Sequence, residues 1–103
     1  MSKKIETSAI TAGRPAVTPD APLNPSIDLT STFHSGGPIG YGRYGNQTWT
    51  SLEEAISELE GGETLTFSSG MAAISAVFSI LPIGAPIVAS NQGYSGVMSL
   101  LNS

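Results

Sequence analysis

Cysteine is absent from the 103 residues, which removes disulfides, thiolate zinc and iron–sulfur ligation, and thiol nucleophiles together. The absence fits a reducing, cytoplasmic setting. The single histidine, His34, excludes a multi-histidine metal centre within the chain. A hydrolytic metal site would have to be assembled from carboxylates alone. Positive charge is scarce: four Lys and Arg against eight Asp and Glu give a formal net charge of −4. No broad cationic surface can form, so nucleic acid is not an expected partner. From Thr64 to Ser103, forty residues, charge is missing altogether.

What is present is apolar enough to fold. Hydrophobic residues make up 40% and charged ones 12%, a balance that excludes a disordered tail and places the chain in, or as part of, one globular domain. The uncharged run Met71–Ala89 has the length of a membrane span. Against insertion, Pro82, Gly84 and Pro86 would free backbone groups that lipid cannot satisfy, and no basic cluster flanks the run. A membrane hairpin is therefore the weakest reading. Lys3 and Lys4 are followed by Glu6, Thr7 and Ser8 rather than an apolar core, which is not the pattern of a signal peptide. Burial on several sides within a larger α/β protein accounts better for the uncharged half.

Residues 1 to about 40 read as an extended arm, because Pro15, Pro19, Pro22, Pro25 and Pro38 recur too closely for a helix. Within it Ile27–Phe33 is an extended piece, and Ser35–Gly40 is a glycine-rich connection. From Thr50 the pattern changes. Thr50-Ser51-Leu52-Glu53 and Ser51-Leu52-Glu53-Glu54 both read as capping boxes. Leu52, Ala55, Ile56 and Leu59 fall on one helical stripe opposite the glutamates, and Gly61-Gly62 stops the helix. Thr64–Phe67 is a short strand, Met71–Leu81 an apolar helix, Pro86–Ser90 a second strand, and Tyr94–Leu101 a further helix. That order describes a parallel βαβ unit. Leu100 and Leu101 have little to pack against, as expected of a fragment.

Three stretches are candidates for chemistry. At Ser68-Ser69-Gly70-Met71 a turn leads into a helix whose free N–H groups and positive dipole end suit a phosphate; equally, Ser68 or Ser69 simply caps the helix. Tyr41-Gly42-Arg43-Tyr44-Gly45-Asn46-Gln47-Thr48-Trp49 crowds aromatics around Arg43, one of two arginines in the chain. A guanidinium is shaped for bidentate contact with phosphate or carboxylate; the alternative is a packed aromatic loop with a surface ion pair. Gly93-Tyr94-Ser95-Gly96 lies at a second strand-to-helix junction, where Tyr94 either stacks on a flat ring or packs as a half-buried phenol. His34 is assigned no role.

Taken in this order, Tyr41-Gly42-Arg43, Asn46-Gln47-Thr48, the helix ending in Gly61-Gly62, Phe67-Ser68-Ser69-Gly70-Met71-Ala72-Ala73 and Tyr94 resemble the start of the pyridoxal-phosphate-dependent Cys/Met metabolism (trans-sulfuration) family, which includes cystathionine γ-synthases and γ-lyases. The resemblance spans residues 5–101. It implies a fragment of the α/β large domain of a fold-type-I, aspartate-aminotransferase-like enzyme over residues 50–103, preceded by an arm over residues 1–49. The implied cofactor is pyridoxal 5'-phosphate. Backbone N–H groups at Gly70 and Met71 would hold its phosphate, Tyr94 would stack on its ring, and Tyr41 and Arg43 would reach the phosphate of a neighbouring subunit. The resemblance also implies a sulfur amino-acid substrate, Cγ–S bond chemistry and a homodimer or homotetramer.

Two positions depart from the family pattern: Gln47 stands where proline is common, and Gly93-Tyr94-Ser95-Gly96 replaces the usual Tyr-Gly-Gly-Thr. The only lysines are Lys3 and Lys4, so no Schiff-base lysine is expected among these residues and the chain by itself is expected to be inactive. A non-catalytic truncated protein that binds phosphate or a parent-enzyme subunit is the competing reading.

Overall fold

The computed structural model describes residues 3–102; residues 1 and 2 of the expected arm and residue 103 of the expected α/β segment lie outside the described residues. Four helices follow in order, α1 (Ile5–Thr11), α2 (Gln47–Glu60), α3 (Gly70–Ser79) and α4 (Ser95–Leu101). The chain divides into two compact units, Met1–Leu65 and Thr66–Ser103.

In the first unit α1 packs on α2. A helix here departs from the expected arm: the prolines begin only at Pro15, so Ile5–Thr11 has no residue that breaks a helix. Helix α2 starts earlier than the capping boxes suggest. Asn46, with extended backbone (φ −154°, ψ 128°), is the N-cap, and its side chain accepts from the Thr48 N–H. Asparagine is among the strongest N-caps, and a good cap four residues upstream of Thr50 overrides a weaker one. Gly61 closes α2 in the left-handed region (φ 74°) and donates its N–H to the Ser57 carbonyl, as its position after the last periodic residue implies.

The face of α2 that receives α1 overlaps the expected stripe only at Ala55. Ser51, Ala55 and Glu58, spaced by about one and two helical turns, meet the α1 segment. Gly13, at φ +69°, lies so close that a Cβ there would run into the Ser51 carbonyl. Glu58 Oε1 accepts from the buried Ser8 hydroxyl at 2.7 Å and lies 3.5 Å from Lys3 Nζ. The Ser8 hydrogen bond holds the Glu58 carboxyl below its ordinary value, Lys3 adds to the effect, and partial desolvation opposes it. Leu52 and Ile56 stay exposed. Among the described residues the only buried polar or charged ones are Ser8, Asn46 and Ser51, and none of the hydrophobic ones is buried.

In the second unit α3 contacts α4. Ser69, extended at φ −160°, caps α3 by accepting from the Ala72 N–H at 3.1 Å. After α3, a turn at Pro82–Ala85 (Ala85 N–H to the Pro82 carbonyl, 3.0 Å) uses Gly84 at φ 82°. The expected α/β character is not seen: neither Thr64–Phe67 nor Pro86–Ser90 enters a ladder, and the described residues carry only one isolated bridge, Thr32 with Tyr41. A parallel strand exists only against a neighbour that takes its slanted hydrogen bonds, and these two segments do not pair with each other. The long apolar run is broken by the Pro82–Ala85 turn. No helix among the described residues is long and apolar enough to cross a membrane.

Candidate functional site

The Tyr41–Tyr44 turn of the first unit is built by backbone pairing. Tyr41 and Thr32 form an antiparallel bridge, the Gly42 N–H donates to the Ser31 carbonyl at 2.6 Å, and the Tyr44 N–H closes the turn on the Tyr41 carbonyl at 2.9 Å. Gly42 fits closely there, since a Cβ would stand 3.0 Å from the Ser31 Cα and press on that backbone. The turn is anchored to α2 through Asp28. Asn46 Nδ2 donates to the Asp28 carbonyl at 3.2 Å, and the Asp28 N–H donates to Thr48 Oγ1 at 2.7 Å. Asn46 thus caps the helix and ties the loop with one side chain. Gln47, at the first helical position, needs no backbone acceptor and sends Nε2 to Ser51 Oγ at 3.1 Å.

Tyr41 and Arg43 are brought together by this turn. The Arg43 guanidinium carbon lies 5.0 Å from the Tyr41 ring centroid and 5.9 Å from that of Tyr44, while the two rings meet edge to face at 6.1 Å and 71°. The guanidinium is exposed and has no carboxylate within salt-bridge distance among the described residues, so the surface ion pair of the competing reading does not form among them.

Gly70 and Met71 are the first two residues of α3 in the second unit. Ser69 takes the Ala72 amide, and the Ser69 carbonyl takes the Ala73 amide at 3.1 Å. The Gly70 and Met71 amides have no acceptor among the described residues. Space at Gly70 is open: a Cβ built there meets nothing within 4 Å. Capping by Ser69 and an open pair of amides therefore coexist. Tyr94 is the N-cap of α4. A Cβ at Gly96 would lie 2.7 Å from the Tyr94 ring and 3.1 Å from the Met71 sulfur, so the missing side chain makes room for both. The Met71 and Tyr94 side chains thus come together at Gly96, in the unit that also holds Gly70.

Sequence reasoning passed over Asn46, Thr48 and Asp28 as the loop's anchors, Tyr44 as a partner of Arg43, and Gly96 as the gap beside Tyr94. Two of these had a signal: Asn before a helix is a cap, and glycine inside a first helical turn is costly unless something needs the space.

The sequence profile of the Cys/Met metabolism PLP-dependent enzymes matches residues 6–103. The chain belongs to this PLP-dependent family. It is 45% identical over 101 residues to a putative cystathionine γ-lyase of Streptomyces coelicolor, covering 88% of this chain and 26% of that protein. It is 41% identical over 81 residues to the cystathionine β-lyase MetC of Bacillus subtilis, covering 73% and 21%. With a cystathionine β-lyase of Lactococcus lactis it shares 35% over 104 aligned positions, covering 95% and 27%. The chain thus spans about a quarter of the length of these curated relatives. No solved structure matches it.

Members of the Cys/Met metabolism family depend on pyridoxal phosphate, and the residues present fit that group in part. Two unpaired amides at an uncrowded helix start suit the phosphate dianion, and the Tyr94 ring lies near the Met71 side chain at Gly96. The described residues hold no cluster of three or more His, Asp or Glu that could bind a metal. Of the two lysines, Lys3 lies beside Glu58 and Lys4 is exposed.

Proposed function

We propose that the chain supplies the phosphate- and ring-contacting part of a pyridoxal 5'-phosphate site for trans-sulfuration, of the cystathionine γ-synthase or γ-lyase type, with a sulfur amino acid as substrate. The observation that carries this reading is the family match over residues 6–103 on a chain whose Gly70 and Met71 amides are open and unpaired. The γ type draws support from the 45% identical relative, named a putative γ-lyase. Residues 50–103 would then begin the fold-type-I large domain, and residues 1–49 would form the arm before it.

In this reading the Gly70 and Met71 amides and the α3 dipole bind the phosphate, and Tyr94 orients the ring by stacking. Tyr41 and Arg43 reach the phosphate held by a neighbouring copy, so a homodimer is the smallest complete unit and a homotetramer a further assembly. The bound group supplies an electron sink for breaking or making a Cγ–S bond. None of the residues present is assigned a catalytic role, because Lys3 and Lys4 have no surroundings that would desolvate either amine. A cytoplasmic setting accords with the lack of cysteine. The scarcity of lysine also favours a second reading, phosphate binding without catalysis.

The test uses 4'-deoxypyridoxine 5'-phosphate, which keeps ring and phosphate but has no aldehyde to react with lysine. It should bind more tightly than pyridoxine by about tenfold or more, the worth of a charge-assisted hydrogen bond, with affinity rising with chain concentration. Gly70→Pro deletes one amide at a position where proline is tolerated and should weaken binding several-fold, roughly one hydrogen bond. Equal binding of the two probes, or full affinity in Gly70→Pro, refutes the proposal.

A further inference from the structure

We propose that Tyr44 is a positioning residue whose ring, paired with Tyr41, holds the Arg43 guanidinium ready for an anion. The functional half of this inference rests on the reading of Arg43 as an anion-binding group.

The geometry is local and specific. Tyr41 and Tyr44 are the ends of one turn, closed by the 2.9 Å hydrogen bond between their backbones, and their rings meet edge to face. Arg43 lies between them in sequence, and its guanidinium carbon is within about 6 Å of both centroids, the range of effective cation–π attraction. The backbone carrying the rings is pinned by the buried Gly42 against Ser31.

Tyr44 is 79% exposed, so its ring contributes little burial, and its ring contacts are with Tyr41 and with the cation. An unrestrained arginine samples many rotamers and must give them up when it binds. Two aromatic faces confine the side chain beforehand. The rings, inclined at 71°, form a corner against which the guanidinium carbon rests, and a guanidinium held by π contact keeps its N–H groups for bidentate contact with phosphate or carboxylate. Tyr41 alone would bound the cation on one side; Tyr44 supplies the second wall.

The experiment compares the full chain with Tyr44→Phe, Tyr44→Leu, Tyr44→Gln and Arg43→Ala by two measurements. The first is the NMR shift of the Arg43 δ-methylene and Nε–H, which aromatic ring currents displace. The second is titration with inorganic phosphate at low ionic strength. Because the Tyr44 side chain is exposed, truncation leaves no cavity, and far-UV circular dichroism should not change. Tyr44→Phe should keep both the displaced shifts and the affinity. Tyr44→Leu and Tyr44→Gln should return the shifts toward those of an unstructured arginine and weaken phosphate about two- to fivefold, the worth of an exposed cation–π contact. Unchanged shifts in both truncations, or a change in Tyr44→Phe equal to theirs, overturn the role of Tyr44. If Arg43→Ala weakens phosphate while both Tyr44 truncations bind like the parent chain, the positioning role alone fails. If Arg43→Ala binds phosphate as tightly as the parent chain, the anion-binding reading fails and takes the functional half of this inference with it.

Discussion

Replacing Asn46 by alanine should open the first turn of α2 and release the arginine-bearing loop together. Asn46 is buried and makes two hydrogen bonds with its side chain, accepting from the Thr48 N–H at 2.8 Å and donating to the Asp28 carbonyl at 3.2 Å. Loss of the cap costs about 1 kcal/mol, and loss of the second bond about 0.5–1.5 kcal/mol. Together they amount to about 1.5–2.5 kcal/mol, or roughly a 10- to 70-fold larger opening constant. Amide exchange at Thr50 reads this directly, because its acceptor is the Asn46 carbonyl, 3.1 Å away, which the substitution leaves in place. The Thr50 amide should exchange faster by that factor. Asn46→Asp, which keeps the acceptor and loses the donor, should give only about half of the free-energy loss by the same reckoning. The second tie to Asp28, through Thr48, predicts that Asn46→Ala and Thr48→Val are non-additive, since each frees the same backbone segment. If Asn46→Asp exchanges as fast as Asn46→Ala, or if neither differs from the parent, the cap does not organise the loop and the reasoning fails.

Gly13→Ala should undock α1, because the new side chain has to accept a positive φ, at about 1–2 kcal/mol, and also displace the Ser51 carbonyl; NMR contacts between α1 and α2 should be lost, and their survival would refute the steric argument. The Glu58 carboxyl supplies a pH dependence. Its value in the folded chain is lowered, so its contribution to docking is present above the ordinary 4.5 and disappears as pH falls through the lowered value. Ser8→Ala removes the main cause and should raise the Glu58 midpoint toward 4.5 in a carbon-13 titration of the carboxyl; an unmoved midpoint would show that the hydroxyl does not set it.

The sequence made the middle of each long helix legible and their beginnings less so. The charged and apolar spacing from Leu52 to Glu60 and the glycine after it locate α2 and its end, because periodicity and a left-handed cap are local properties. Its start was hidden because the Thr50 and Ser51 hydroxyls offer plausible caps, while Asn46 gains its advantage from Asp28, eighteen residues away. Ser69 and the apolar run after it marked α3 correctly. Thr64–Phe67 and Pro86–Ser90 have strand composition, yet strands are defined by partners, and composition names none. The strand-to-helix junctions make Gly70, Met71 and Tyr94 candidates, while their roles come only from the family resemblance. The space that Gly96 leaves for Tyr94 and Met71 depends on α3 and α4 meeting, which no local pattern encodes.

The burial of Ser8, Asn46 and Ser51 without a single buried hydrophobic residue among those described has a thermodynamic consequence. An ordinary domain gains about 12–15 cal/mol/K of heat capacity per residue on unfolding, chiefly from newly wetted hydrocarbon. In this chain most of that hydrocarbon is already wet, so calorimetry should record a small increment and the denaturant slope should be shallow. With its order held by a few buried polar side chains, the chain should melt gradually rather than in one sharp step.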